Sequence, residues 1–195
     1  MRHPFHKLIG DIISENIKGE DIEVFKDRAC DPSPRGHVLP LYHSIEEDGK
    51  SEAKSSRRAR ILTNVDSLIL KENKIKVIIE IEESNVKPIH LFGKFFASAL
   101  SSYYSHPSED EGKIGMSNSV LFIQILYTKN LNAEKTQKIY QWENIKKSIE
   151  NSIKNLKCSI DQYEMYYGDE VDFGISGKRK IELINTIKEF LDLKF

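Results

Sequence analysis

Cysteine is scarce in this chain. Its 195 residues hold two, Cys30 and Cys158, far apart and in no ligand spacing. That argues against a disulfide framework and against a cysteine-built zinc site. The expectation is two reduced thiols in a cytoplasmic protein. Long apolar runs are missing too: no stretch approaches the roughly 20 residues of a membrane span. The opening Met1-Arg2-His3-Pro4-Phe5-His6 lacks the apolar segment of a signal peptide. The six histidines form neither HxH nor HExxH. No charge dominates, with 29 Lys and Arg against 30 Asp and Glu and a net charge of −1. Nucleic-acid binding is therefore not advertised by the total, and local patches carry the information instead. No internal repeat or low-complexity tract marks a boundary, so the length points to one domain over 1–195, large enough for a hydrophobic core.

The apolar periodicity predicts helices over residues 4–18, 87–104, 133–157 and 178–193. Pro88 is placed to open the second of these. Ile22–Phe25 reads as a short strand. Val120–Leu126 is a nearly unbroken apolar run, expected of a central strand covered on both faces. Residues 158–167 read as a further strand, with Tyr163, Met165 and Tyr167 on one face. Residues 105–118 read as a polar loop. Residues 28–60 carry three prolines and little apolar periodicity, so they read as a long inserted loop of the kind that is usually functional or disordered. The fold class implied is α/β, a mixed β-sheet with an antiparallel hairpin and helices on both faces.

The most informative segment is an acidic hairpin. Val65-Asp66-Ser67-Leu68-Ile69-Leu70 and Val77-Ile78-Ile79-Glu80-Ile81-Glu82 are greasy strands that carry three carboxylates. Glu80 and Glu82 share a face, roughly 7 Å apart along the strand. Asp66 joins them if it opposes Glu80 across the hairpin. That pairing requires a three-residue turn, Glu72-Asn73-Lys74, whereas a two-residue turn at Glu72-Asn73 would send Asp66 to the other face. Grouped carboxylates repel one another unless something positive lies between them, and a divalent metal ion is the usual solution. The plain alternative is a hairpin with one solvated face, against which Ile78 counts.

Asp66, the hairpin, Glu80-Ile81-Glu82 and the helix entered through Ser84–Pro88 resemble the PD-(D/E)XK nuclease superfamily, most of all its type II restriction endonucleases. The resemblance spans roughly residues 5–170 and implies a restriction-endonuclease-like core with the site on the hairpin. It implies Mg²⁺ held by Asp66, Glu80 and Glu82, with Glu82 either binding a second ion or orienting the attacking water. Two positions depart from the pattern: Val65 stands where the family has Pro, and Glu82 where it has Lys. The departure at 82 shifts the burden of transition-state charge to a second ion or a basic neighbour. Lys87 and Lys94, in one stripe with His90 on the following helix, are candidates. By the same resemblance Glu15 on the first helix is a further candidate acid, with Asp11 as its competitor.

The resemblance implies double-stranded DNA as substrate and a homodimer, because a two-fold DNA site suits a two-fold protein. Arg57, Arg58 and Arg60, with Arg35 in the same loop, are candidates for contacting phosphates or guanine edges. Met116 is a candidate wedge on an exposed loop. The implied activity is Mg²⁺-dependent hydrolysis of phosphodiester bonds in duplex DNA at specific sites. The competing readings are a structure-specific nuclease and a non-catalytic DNA-binding module on the same fold.

Overall fold

The computed structural model describes residues 3–34, 36–43, 59–84, 87–105, 112–129, 131 and 135–193. In chain order the elements are α1 (Pro4–Asn16), β1 (Ile22–Lys26), β2 (Leu39–Tyr42), β3 (Ile61–Val65), β4 (Ser67–Lys71), β5 (Lys74–Glu82), α2 (Pro88–Ala99), β6 (Tyr103–Tyr104), β7 (Ile114–Tyr127), α3 (Lys135–Ile153), β8 (Ile160–Gly168) and α4 (Lys178–Phe190). The class is α/β: among the described residues a mixed sheet of eight strands is flanked by four helices.

Strands β1, β4 and β5 form an antiparallel meander, β7 runs parallel to β5, and β8 runs parallel to β7. The first residues of β7 pair instead with β6, which leads through β2 to β3. Both faces of the central strands are covered, which is why β7 is apolar without alternation. On one face Leu68, Leu70, Ile78, Phe122 and Leu126 pack with Leu91 and Phe95 of α2 and Trp142, Ile145 and Ile149 of α3. On the other, Ile69, Val77, Ile79, Ile81, Leu121 and Ile123 pack with Phe5, Ile9, Ile12 and Ile13 of α1 and Leu183 and Ile187 of α4. Each such side chain contributes about 1.5–3 kcal/mol by leaving water, so the sheet and the helices stabilise one another. α1 lies close enough to the 27–30 segment that a Cβ at Gly10 would meet the Cys30 carbonyl oxygen at 2.8 Å.

Several elements differ from the sequence expectation. The acidic hairpin turns through two residues: Lys71 opposes Lys74, and Glu72 and Asn73 both have positive φ, 53° and 54°. This is the primed geometry that matches strand twist. The expected three-residue turn is thus replaced by a two-residue one, yet Ser67 still opposes Ile79 and Leu68 opposes Ile78. The reconciling device is a β-bulge. Leu70 opposes Ile75 while Ile69 opposes Val77, leaving Lys76 as the extra residue. Accordingly Ile75 faces the α2 and α3 side and Val77 the α1 and α4 side, although they are two apart in sequence. An inserted residue restores the register that a two-residue turn would otherwise shift.

The strand read as starting at Val65 is broken at Asp66, where the chain passes from β3, paired with β2, to β4, paired with β5. The 28–60 segment is not all loop, since Leu39–Tyr42 is the fully buried strand β2. The stretch read as a loop over 105–118 contains the start of β7. Met116 therefore lies in a strand, opposite Ile75 and packed against the core. A half-buried strand residue has no free loop to extend from, which removes it as a wedge. Helix α2 ends at Ala99, short of the expected 104, because Tyr103 and Tyr104 pair with β2 and β7.

Candidate functional site

Asp66 sits at the pivot between two strands, and its backbone is fully engaged. Its N–H donates to the Ile79 carbonyl at 3.2 Å and its carbonyl accepts from the Asp27 N–H at 2.9 Å. Fixed there, its carboxylate accepts the Ile81 N–H on Oδ2 at 2.6 Å. Glu80 lies on the same sheet face as Leu68, Leu70 and Ile78, looking towards α2. Its side chain is 1% exposed. Lys94 of α2 reaches down to it, and Nζ donates to Glu80 Oε2 at 2.9 Å and to the Asn64 carbonyl at 3.2 Å. Glu80 Oε1 is buried with no hydrogen-bond partner among the described residues. Glu82, two residues on, is half-buried at the rim.

The electrostatics follow from this crowding. Burial pushes the Glu80 carboxyl well above the ordinary carboxylate range, Asp66 pushes it further, and Lys94 pulls it back. Burial also raises Asp66, opposed by His6 and by the Ile81 N–H. Glu82 is raised by burial and by Asp66, opposed by Lys94. Burial by itself would lower Lys94, but the carboxylates of Glu80, Asp66 and Glu82 outweigh it and hold the ammonium above its usual value. One lysine thus faces three acids. A buried, unpartnered carboxylate oxygen is the kind of hard donor that suits a divalent cation such as Mg²⁺, and Asp66 and Glu82 act on Glu80 through their charges, although the three carboxylates do not form a close ligand group as His3, His6 and Glu83 do.

Behind Glu80, Gln124 of β7 is its direct partner in the parallel ladder. Gln124 is fully buried, donating to the Leu91 carbonyl at 3.2 Å and accepting from the Tyr163 hydroxyl at 2.5 Å. This polar pair ties α2, β7 and β8 together under the site.

On the other side of Asp66 stands His6, in the first turn of α1. Its Nε2 is 3.8 Å from Asp66 Oδ1, and its Nδ1 and backbone N–H meet Glu83 Oε1 at 2.9 and 2.8 Å. His3 Nδ1 lies 3.8 Å from Glu83 Oε2. Neither His6 nor Glu83 was legible as a site residue; the one available signal was the position of Glu83 immediately after the acidic pair.

The structure therefore brings together Asp66, Glu80, Glu82 and Lys94, and leaves others out. Glu15 is exposed, and no contact among the described residues joins it to the cluster. α1 meets the site with its first turn, and Glu15 lies nine residues beyond His6, about 13 Å along the axis. Asp11 is ion-paired with Lys7 one turn away. Lys87 is exposed at the N-cap of α2, while His90 lies near enough for its charge to act on Glu82. Arg60 lies in the turn before β3, where its carbonyl accepts the His43 N–H at 3.3 Å. Arg35, Arg57 and Arg58 lie outside the described residues.

No family model, no curated protein and no solved structure matches this chain. Among the described residues, no helix is long and apolar enough to cross a membrane.

Proposed function

We propose that the chain is a Mg²⁺-dependent endodeoxyribonuclease that hydrolyses double-stranded DNA. On this reading it is a homodimeric, restriction-type enzyme with a PD-(D/E)XK-like core. The observation that carries the reading is the Glu80 carboxylate, with Oε1 buried and unpartnered among the described residues and the charge of Asp66 acting on it. Asp66, Glu80 and Glu82 would hold the ion. Bound there, Mg²⁺ would supply charge to the scissile phosphate and make its water a better nucleophile.

The chain's own groups account for the rest. Hydrolysis forms a phosphorus–oxygen bond to water and breaks the ester bond to the leaving oxygen, which takes its proton from solvent water. Glu82, half-exposed and raised towards neutrality, is suited to accept the proton of the attacking water. Lys94, charged and adjacent to Glu80, takes the place of the lysine that the motif would carry at 82. It neutralises charge developing on the phosphoryl oxygens. Support for this division of labour is that Lys94 arrives from α2 while its Nζ reaches the strand bearing the acids.

One observation favours a second reading, a non-catalytic DNA-binding module. Lys94 already pairs with Glu80, so part of the charge is compensated by the chain itself. A plasmid digest separates the readings. With Mg²⁺ the nuclease yields discrete fragments whose sequenced ends share a site, and chelator stops the reaction. Smeared products would point to a nuclease without sequence specificity, and cleavage confined to branched DNA to a structure-specific one. Plasmid and branched DNA both left intact with Mg²⁺ would refute the nuclease.

A further inference from the structure

The residues behind Asp66 have a different donor chemistry from those in front of it. His3, His6 and Glu83 each offer a ligand atom, and these atoms all lie within 4.8 Å of one another. Two imidazoles and one carboxylate suit a borderline cation such as Zn²⁺, whereas the oxygen-only set at Asp66, Glu80 and Glu82 suits Mg²⁺. We infer that His3, His6 and Glu83 form a binding site for Zn²⁺ or a similar divalent transition metal, separate from the carboxylate cluster and joined to it through the His6 ring. The inference does not rest on the nuclease reading.

Three features support it. The spacing is the first. His3 and His6 are three apart at the start of α1, so their rings fall on one side, with centroids 5.2 Å apart. Glu83 arrives from 77 residues further along the chain, immediately after β5. In a tetrahedral site with bonds of about 2.0–2.1 Å, neighbouring ligand atoms sit about 3.3 Å apart. His6 Nδ1 and Glu83 Oε1 are at 2.9 Å, and His3 Nδ1 and Glu83 Oε2 at 3.8 Å. The two contacts use different oxygens of Glu83, so a shared ion requires the carboxylate and His3 to shift together, and His3 is 51% exposed.

The second feature is the setting of the inner ligands. His6 and Glu83 are 10% and 18% exposed, and the His6 backbone N–H holds Glu83 Oε1 in place. They would enter the complex already oriented.

The third is the other face of the His6 ring. A metal-bound imidazole usually turns its remaining N–H towards a carboxylate, which fixes the tautomer and strengthens the ligand. His6 Nε2 faces Asp66 Oδ1 at 3.8 Å. When a cation takes Nδ1, the proton leaves that nitrogen and Nε2 carries one towards Asp66. The arrangement thus contains both the ligands and the supporting carboxylate.

The test is titration of the whole chain with Co²⁺, read by its visible ligand-field absorption, followed by displacement with Zn²⁺. One equivalent should bind, and Glu80→Gln with Glu82→Gln should leave that binding unchanged, which separates this site from the Mg²⁺ reading. His3→Ala, at an exposed position, should weaken it more than tenfold. His6→Ala and Glu83→Gln should abolish it, with circular dichroism confirming the fold. Asp66→Asn should weaken it by about tenfold while keeping the spectrum, as expected for a supporting partner. Absence of a Co²⁺ spectrum in the wild type, or full binding in both His3→Ala and Glu83→Gln, would overturn the assignment.

Discussion

Glu80→Gln should make the metal-free protein more stable while removing its response to Mg²⁺. The wild-type side chain is buried with one oxygen unpartnered and stands beside Asp66. An unsatisfied buried group costs about 1–3 kcal/mol. Its ion pair with Lys94, which is 35% exposed, offsets only part of that cost, because both charges are also drawn out of water. The neutral amide keeps the shape and loses the charge, so the net gain at pH 8 in chelator should be about 1–2 kcal/mol. For a chain of this length each kcal/mol raises Tm by about 2–4 °C. The gain must depend on pH. Asp66, Glu80 and Glu82 are all raised in the folded state, so between the ordinary carboxylate range and those raised values the folded state holds more protons than the unfolded one. Wild-type stability from this cluster is therefore lost as pH rises through that window. At pH 4, where Glu80 is protonated in the folded state and mostly so when unfolded, Gln and Glu should differ little. Urea denaturation at pH 4 and pH 8, with EDTA and then with Mg²⁺, gives all four values. Saturating Mg²⁺ should stabilise the wild type by about 2.7 kcal/mol at 100 times its Kd and leave Glu80→Gln unchanged. A Gln variant less stable than wild type at pH 8 in EDTA, or a gain of equal size at both pH values, would refute the reasoning.

Other perturbations probe separate parts of the account. Lys94→Met should lower kcat for plasmid cleavage at least a hundredfold, with Lys94→Arg recovering part of it, measured in single-turnover digests. Replacing Glu72-Asn73 with Asn-Gly should raise stability by about 1 kcal/mol in chemical denaturation, since both positions have positive φ and Glu is poorly suited to it. Gln124→Leu should cost about 1–3 kcal/mol, because it leaves the buried Tyr163 hydroxyl without its acceptor; the matched Gln124→Leu, Tyr163→Phe pair should recover much of that loss.

Much of the fold was legible because its signals are local. The stripe of Phe5, Ile9, Ile12 and Ile13 marks α1, and the apolar run at Val120–Leu126 marks a strand covered on both sides. The nearness of Asp66 to the strand that bears Glu80 was also legible, and Asp66 accepts the Ile81 N–H. The means of reaching that nearness was not. A bulge at Lys76 leaves no trace in composition, so the ladder looked as if it needed a longer turn. β2 and β6 escaped notice because strands of four and two residues are held by their neighbours in the sheet, with little preference of their own. Lys94 could be placed on the right helical stripe, whereas choosing it over Lys87 needed the packing angle of α2 on the sheet. His6 and Glu83 lie 77 positions apart, and nothing in either neighbourhood announces the other. Glu15 was misplaced because helix periodicity gives the buried side of α1 but not which end abuts the hairpin.

The central claim is that Asp66 and Glu80 together hold a divalent cation, and calorimetric titration of the DNA-free protein with Mg²⁺ and Mn²⁺ tests it most directly. The account predicts saturable binding of both ions to the wild type. Asp66→Asn should weaken it by at least tenfold and Glu80→Gln should abolish it, while His3→Ala should leave Mg²⁺ binding in place. Saturable binding that survives both carboxylate substitutions, or no binding by a folded wild type, would contradict it.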